Sequence, residues 1–365
     1  MDFFHTAISP QAIDFVRQAL ETTWISEGPR VKEFEAALSE KLGLVNPVAL
    51  NSGTTALHLA LVVAGIGPGD EVIIPAQTFV ATGLAVQMQG AKPVFADIDK
   101  MTGNISPEDI RKKITPLTKA IMPVHWAGYP CDMDEIGEIA RQHNLIVIED
   151  AAHALGATYR GRSVGSISDF TCFSFQAIKH LTTGDGGAVC CKDPKDLHDA
   201  FLRRWFGIDR AGSKPSILGE REFDISTVGY KYHMNDLAAA VGLGNLSGFS
   251  ANLARRRAIG TRYQRELKSI PGLTLLKYEG DRESSYWLFT FLVERRTDFI
   301  RKLQSEGIPS SVVHLRIDRY SVFGGQTPDL PGQEYFNEHQ IAIPVHNALS
   351  DQDVDKIIRC IRSGW

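Results

Sequence analysis

Long apolar runs, an excess of basic residues and paired cysteines are all missing from this chain of 365 residues. No stretch approaches the ~18 uninterrupted apolar residues that a membrane helix needs. Residues 1–5 lack the basic start and apolar core of a signal peptide. The five cysteines are an odd number without metal-ligand spacing, which is typical of reduced thiols. The sequence therefore predicts a cytoplasmic protein without a membrane anchor, a disulfide framework or a metal site.

The charge balance argues against a nucleic-acid partner. The 39 basic and 43 acidic residues give a net charge of −4, which is small and has the wrong sign for a general nucleic-acid binder. Hydrophobic residues form 43% of the chain and charged residues 22%, as is ordinary for a globular protein. At about 150 residues per domain, the length predicts two or three domains.

Short apolar runs alternate with helical patterns through the first two thirds of the chain. Strands separated by one helix each are typical of a mainly parallel α/β sheet that is covered on both faces. A helix is expected over residues 133–143, between two of these strands. The expected strands are residues 71–74, 93–96, 120–124 and 145–148.

The last third of the chain has a different composition and predicts a smaller α+β domain. A long helical tract covers residues 235–267, and strands and helices of the smaller domain follow it. We expect a large domain over residues 1–245 and a small domain over residues 246–365. Because the boundary falls in a helix, the two domains should be rigidly joined. The basic cluster at residues 255–257 is interpreted as a solvated helix face.

Residues 51–55 read Asn-Ser-Gly-Thr-Thr and lead directly into a helix. Free backbone N–H groups at a helix start, two hydroxyl groups and a glycine that permits close approach suit a phosphate group. The alternative is an ordinary Ser/Thr helix cap, which is common.

A buried strand ends in two carboxylates, Glu149 and Asp150. Ligands of open α/β sheets bind at the carboxyl ends of strands, and alternation sends the two side chains to opposite faces. Only one of them can therefore enter a site. A buried carboxylate needs a cation or hydrogen bonds, and a protonated pyridine nitrogen is one such partner. The alternative is an aspartate that caps the next turn.

Lys179 stands among apolar residues and is followed by a glycine-rich turn at residues 184–187. Burial lowers the pKa of a lysine and makes its amine a nucleophile toward aldehydes. The alternative is a lysine that snorkels to the surface. Pyridoxal phosphate requires three contacts: a site for its phosphate, an acid for its ring nitrogen and a lysine for its aldehyde. Residues 51–55, the carboxylates at 149–150 and Lys179 supply them in this order along the chain.

The whole chain resembles the DegT/DnrJ/EryC1/StrS family of sugar aminotransferases, which have fold type I among pyridoxal phosphate enzymes. The resemblance implies a large domain with a mainly parallel sheet and a small C-terminal α+β domain. The matching segments are residues 24–29, 51–57, 74–79, 148–153, 173–187, 228–232 and 343–346.

The resemblance also implies roles for individual residues. Lys179 is expected to form the Schiff base with the cofactor and to move the proton between cofactor and substrate. Asp150 is expected to pair with the pyridine nitrogen. The other expected cofactor contacts are Gly53, Thr54 and Ser174 at the phosphate, Phe79 stacked on the ring, His153 near the phenolic oxygen, and Lys231 from the neighbouring subunit.

Two positions depart from the family pattern. Lys231 stands where relatives commonly have asparagine, which leaves its cross-subunit contact open, and Gln176 replaces a frequent histidine or tyrosine. One branch of the family, the sugar 3-dehydratases, has histidine in place of the lysine and eliminates water. Lys179 is the fifth position after Ser174, so the neighbouring His180 is one position too far along, and the sequence favours a transaminase.

The resemblance implies transfer of an amino group from glutamate to a nucleotide-linked keto-sugar by a homodimer with shared active sites. Residues 175–187 look more like members that aminate C4 than members that aminate C3. Two rival functions stay open: the 3-dehydratase and a non-catalytic regulatory binder. Candidate substrate contacts are His314, Arg316 and Tyr320, since histidine and arginine bind carboxylates and diphosphates; the alternative is that they are exposed polar residues of a loop.

Overall fold

The computed structural model of the protein describes residues 1–210 and 212–365. Its helices are α1 (Pro10–Glu21), α2 (Pro29–Leu42), α3 (Gly53–Val63), α4 (Ala81–Met88), α5 (Pro107–Lys113), α6 (Met133–His143), α7 (Pro194–Arg203), α8 (Asp236–Glu266), α9 (Arg296–Ser305), α10 (Pro331–His339) and α11 (Asp351–Arg362). Its strands are β1 (Pro47–Leu50), β2 (Glu71–Pro75), β3 (Lys92–Ala96), β4 (Thr118–Ile121), β5 (Ile146–Asp150), β6 (Thr158–Tyr159), β7 (Arg162–Ser163), β8 (Phe170–Ser174), β9 (Gly187–Cys191), β10 (Lys214–Pro215), β11 (Arg221–Glu222), β12 (Leu273–Leu275), β13 (Arg282–Glu283), β14 (Phe289–Val293) and β15 (Gln340–Ile343).

A seven-stranded sheet forms the centre of the large domain, in the order β1-β9-β8-β5-β4-β2-β3. The strands β8, β5, β4, β2 and β3 are parallel neighbours, whereas β9 runs antiparallel to both β8 and β1. Apolar clusters cover both faces of this sheet. The predicted α/β fold with a mainly parallel sheet is confirmed.

The small domain is built on a three-stranded antiparallel sheet, in the order β12-β14-β15. One apolar cluster joins this sheet to α9, α11 and the last turns of α8. Helix α8 contributes Leu253 to a core of the large domain and Ile259 to the core of the small domain. The change of core therefore falls inside this helix, beyond the expected boundary at residue 245, and the domain limits stay a prediction.

The arginine cluster on α8 corrects one expectation. Arg256 is only 3% exposed, and its guanidinium donates to the carbonyl oxygen of Val345 at 2.7 Å and to that of Tyr286 at 3.3 Å. Burial lowers the pKa of Arg256 to about 10. The interpretation of residues 255–257 as a solvated face was wrong, because this stretch of α8 lies between the two domains and is covered by both. Nothing in the described part of the chain forms a helix long and apolar enough to cross a membrane.

Candidate active site

A cavity of about 370 Å³ opens at the carboxyl ends of the parallel strands, where ligands of α/β sheets bind. Strands β2, β4, β5 and β8 lead into its floor, the start of α3 borders it, and two side chains of the small domain complete it. The structure brings most of the predicted site residues to this one cavity. They are Gly53, Thr54, Phe79, Asp150, His153, Ser174, Lys179 and His314.

The start of α3 is both a capped helix and an open anion site. The Ser52 hydroxyl accepts a hydrogen bond from the Thr55 N–H at 3.1 Å, as in the ordinary cap that the sequence left open. Within the described residues the N–H groups of Gly53 and Thr54 have no acceptor, and both residues line the cavity. A side chain at Gly53 would lie 2.9 Å from Cβ of Ser174, so only glycine fits between the helix start and β8. Two free donors at a helix start bind an anion.

Asp150 ends β5 and is buried at the cavity floor with 5% exposure. Its two carboxylate oxygens accept hydrogen bonds from the Thr82 hydroxyl at 2.7 Å and from the Ala152 N–H at 3.1 Å. Burial raises the pKa of this carboxyl, while the hydrogen bonds and the charge of Lys179 act in the opposite direction. The carboxylate is thus held in place and is suited to a cationic N–H from a ligand.

Glu149 points to the other side of the sheet and is fully buried. His125 accepts the Cys131 N–H at its Nδ1 (3.1 Å), so its Nε2 carries the proton and donates to Glu149 at 2.7 Å. Burial raises the pKa of Glu149, but hydrogen bonds from His125, Ser168 and Thr171 lower it by more, and the pKa lies below its ordinary value. The alternation along β5 therefore separates a structural carboxylate from one that faces the cavity.

Replacing Glu149 by glutamine is expected to lower the free energy of unfolding at pH 7 by about 3 kcal/mol, because it breaks a buried hydrogen-bonded pair. The pKa of Glu149 is lower in the folded state, so its stabilisation is complete above the ordinary value of 4.5 and is lost as the pH falls through the folded pKa. Denaturant unfolding from pH 7 to pH 3 measures both effects. Glu138→Gln, at an exposed glutamate of α6, is the control; an equal effect of the two variants would contradict the prediction.

Lys179 is half-buried, and its amine faces the cavity. Burial lowers the pKa of Lys179 to about 7, against the opposing charge of Asp150. About half of the amine is therefore neutral at pH 7. Nζ lies 3.8 Å from the ring centroid of Trp287. A partly neutral lysine can attack a carbonyl carbon and accept a proton.

Two histidines lie on the small-domain side of the cavity. The His153 ring stacks on Trp287 with centroids 3.7 Å apart and planes at 14°, and its buried Nδ1 has no partner among the described residues. His314 follows Val313, which has a left-handed backbone with φ of +60°. Burial, followed by the nearby charge of Lys179, lowers the pKa of His314 to about 4, so this ring is neutral at pH 7. Phe79 is 53% exposed at the mouth, 5.3 Å from His314 between ring centroids.

Three predicted site residues do not line the cavity of this chain. Arg316 is 3% exposed, and its guanidinium binds both carboxylate oxygens of Asp318 at 2.7 and 2.6 Å. Tyr320 is 46% exposed on the surface. Lys231 is also exposed, and its amine lies 5.9 Å from the Trp205 ring. Sequence reasoning missed Thr82 and Trp287; an apolar strand run over residues 287–293 signalled only that Trp287 was buried.

The residues present fit pyridoxal 5'-phosphate. The free N–H groups of Gly53 and Thr54 suit its phosphate, the Asp150 carboxylate suits a protonated ring nitrogen, and the amine of Lys179 suits its aldehyde. The unpartnered Nδ1 of His153 leaves a polar atom beside the same space.

Comparisons with known proteins agree with this arrangement. The model of the DegT/DnrJ/EryC1/StrS aminotransferase family matches residues 6–362. The chain is 38% identical to the spore coat polysaccharide biosynthesis protein SpsC of Bacillus subtilis, over 97% of this chain and 94% of SpsC. It is also 38% identical to GDP-perosamine synthase of Caulobacter vibrioides, over 95% of this chain and 94% of that protein.

Solved structures show the same fold. The sugar aminotransferase CalS13 from Micromonospora echinospora superposes with a TM-score of 0.95 at 34% identity, over 100% of both chains. The PLP-form of Spr1654 from Streptococcus pneumoniae superposes with a TM-score of 0.90 at 33% identity, over 100% of this chain and 98% of Spr1654. Spr1654 has also been solved in a PMP-form, with a TM-score of 0.91.

Proposed function

This chain belongs to the DegT/DnrJ/EryC1/StrS aminotransferase family, and we propose that it transfers the amino group of L-glutamate to C4 of a nucleotide-linked 4-keto-6-deoxyhexose. It is a sugar aminotransferase of fold type I that depends on pyridoxal 5'-phosphate, with pyridoxamine 5'-phosphate as the aminated form. The observation that carries the proposal is the meeting of the Lys179 amine, the Asp150 carboxylate and the free N–H groups of α3 at one cavity.

When bound, pyridoxal 5'-phosphate supplies an aldehyde and a ring that withdraws electrons from the carbon under attack. The N–H groups of Gly53 and Thr54 and the hydroxyl of Ser174 would hold its phosphate. Asp150 would hold a proton on the ring nitrogen through a charge-assisted hydrogen bond, while Thr82 and Ala152 fix the carboxylate.

Lys179 has two roles in this scheme. Its neutral amine would hold the cofactor through the aldehyde, and Nζ would hold and move a proton during the transfer. A pKa of about 7 suits both roles, because similar fractions of base and acid are present at neutral pH. The Trp287 ring covers one side of the same atom, 3.8 Å from its centroid.

The nucleotide sugar and the position of amination belong to the proposal. The relatives named above include a GDP-perosamine synthase and a polysaccharide biosynthesis protein, which supports a nucleotide-linked sugar as acceptor. C4 is favoured over C3 by the resemblance of residues 175–187 to C4-aminating members. We place the enzyme in the cytoplasm; its buried free cysteines support a reducing compartment.

The 3-dehydratase alternative requires a histidine in place of the lysine, and His180 does not meet this requirement. Its ring is buried, its Nε2 donates to the carbonyl oxygen of Ser285 at 2.9 Å, and it does not line the cavity. Lys179 occupies the cavity instead. The second alternative, a non-catalytic regulatory protein, is disfavoured. Binding a ligand without chemistry does not require the lowered pKa of the Lys179 amine.

Two measurements test the proposed function. Borohydride reduction of the holoenzyme, followed by peptide mass mapping, should place the cofactor on Lys179; an adduct on another lysine would overturn the assignment. A panel of nucleotide keto-sugars incubated with L-glutamate, with NMR of the products, then identifies the acceptor. A product aminated at C3, or one that has lost water without gaining nitrogen, would refute C4 amination.

We propose that two chains complete each other's sites in a homodimer. Among the cavity-lining residues of one chain, Lys179 is the sole lysine or arginine, and His314 is neutral, so little positive charge is present for a carboxylate or a diphosphate. Apolar side chains stand on the surface in the segment that precedes Lys231 along the chain, with exposures of 102% for Ile217, 84% for Leu218 and 71% for Val228. Such a surface is suited to a second copy that brings Lys231 to the neighbouring site.

Mixing two inactive variants tests shared sites. Lys179→Ala chains and chains altered at Lys231 and at His233, whose ring lies 4.2 Å from that of Trp205 between centroids, should regain about a quarter of wild-type activity once subunits have exchanged. Random assortment makes half of the dimers hybrids, and symmetry gives each hybrid one intact site of two. Steady-state rates of mixtures, with exchange verified by mass spectrometry, measure the recovery. No recovery in exchanged hybrids would show that these residues do not serve the partner's site.

A further inference from the structure

We propose that Trp287, a residue of the small domain, is a positioning residue that holds Lys179 and His153 in their working geometry and covers one side of the Lys179 amine. The inference rests on the proposed function, which uses the Lys179 amine. Trp287 is 1% exposed and lines the cavity just before β14, 108 positions along the chain from Lys179.

The indole contacts Lys179 in two ways. Its Nε1 donates to the carbonyl oxygen of Ile178 at 3.2 Å, which fixes the peptide that immediately precedes the lysine. Its ring lies under Nζ, 3.8 Å from the centroid, where an ammonium gains a cation–π contact. Main chain and amine of the same lysine are therefore fixed by one side chain.

The opposite face of the indole holds His153. The His153 ring is stacked on the indole with centroids 3.7 Å apart and covers one face of it. The Lys179 amine, 3.8 Å from the indole centroid, must therefore lie on the other face. Phe4 stacks on Trp287 as well, with centroids 5.5 Å apart. The segment that carries the indole also binds the His153 main chain, because the Ser285 hydroxyl donates to the His153 carbonyl oxygen at 2.8 Å.

The backbone at Trp287 is held in an uncommon conformation. Tyr286 has φ of +49°, in the left-handed region that bulky residues rarely adopt. The neighbouring N–H groups of Ser285 and Trp287 donate to the carbonyl oxygens of Gly128 and Ala127 at 3.0 and 2.9 Å. Strained residues persist where the surroundings fix them, and they concentrate at functional sites. The residue that follows Tyr286, Trp287, lines the cavity.

The protonation of Lys179 reports on this role. The titratable groups around its amine are Asp150 from β5, His153, His180, Asp185 and His314. Burial is the largest influence on the pKa of Lys179, and the indole is the aromatic wall nearest to Nζ. A smaller side chain would remove the cation–π contact, which lowers the pKa of the amine, but it would also admit water next to the amine, which raises it. Because burial is the largest influence, the net pKa should rise.

The test measures the amine itself in the full-length, cofactor-free chain. Formaldehyde and cyanoborohydride methylate neutral lysines, and peptide mass spectrometry follows Lys179 against the exposed Lys268 from pH 5 to pH 10. Trp287→Leu should move the midpoint of the Lys179 profile upward by one pH unit or more. Trp287→Phe keeps a ring but loses the donor to Ile178, and it should give a smaller upward shift.

Trp365→Phe is the matched control, because it removes an indole that also donates to a carbonyl oxygen in the small domain, that of Glu294 at 2.9 Å. It should leave the profile unchanged. A folded Trp287→Leu chain with the wild-type midpoint would overturn the inference. If that variant does not fold, Trp287→Phe decides, and a profile equal to that of Trp365→Phe overturns it. Borohydride trapping of the wild-type holoenzyme away from Lys179 would refute the proposed function instead.

Discussion

Lys179→Ala is expected to lower the transamination rate by about 10⁴-fold or more, because one side chain supplies both the nucleophile and the mobile proton. Pyridoxal 5'-phosphate should still bind, since the N–H groups at the start of α3 and the Asp150 carboxylate are unchanged. Turnover with L-glutamate and a keto-sugar, together with absorbance of the retained cofactor, measures both results.

Lys179→Arg is the control for charge and bulk. Arginine keeps a cation beside Asp150 and Trp287, but its guanidinium stays protonated and cannot attack a carbonyl. Both variants should therefore be inactive, and borohydride should fix the cofactor to neither. An active Lys179→Arg enzyme would mean that this position contributes only charge.

Asp150→Asn is expected to lower the rate by about 10³-fold while weakening cofactor binding less, because the carboxylate acts on charge that develops during the reaction. The amide keeps the shape of the side chain and its contact with Thr82, but it cannot hold a proton on the ring nitrogen. The ratio of the effects on kcat and on cofactor affinity is the measurement.

Glu149→Gln gives the contrast on the same strand. Its side chain lies on the other face of the sheet with His125, so it should lose stability and keep turnover at temperatures where it is folded. If Glu149→Gln were inactive while Asp150→Asn turned over normally, the face of β5 that carries the chemistry would have been assigned wrongly.

Much of the fold was predictable because its signals are local. Helix α6 has the predicted bounds, Met133–His143, since its apolar residues repeat at helical spacing between two buried strands. Helix α3 was expected after residues 51–55 and begins three residues earlier than residue 56, at Gly53, where a Ser52 cap leaves the first N–H groups free. Alternation along β5 separated Asp150 from Glu149, because the side-chain period of a strand is fixed.

Features that depend on distant parts of the chain were not predictable. Arg256 looks like a surface residue on a helix, but two domains bury it. Arg316 looks like an anion ligand, but Asp318 two residues away occupies its guanidinium. Trp287 reaches Lys179 only because the small domain folds over the cavity. For Arg256 and Trp287 the partners come from distant parts of the chain, whereas the Arg316–Asp318 pair depends on a local turn that no sequence period encodes.

The unbroken course of α8 has a consequence for how the protein loses its structure. Leu253 and Ile259 lie six positions apart on one helix, about 9 Å along its axis, yet they belong to different apolar cores. Helix formation is cooperative, so one turn of a helix does not melt independently of the turns next to it. Loss of either core therefore loosens the anchorage of the other, and heat should dismantle both as a single thermodynamic unit.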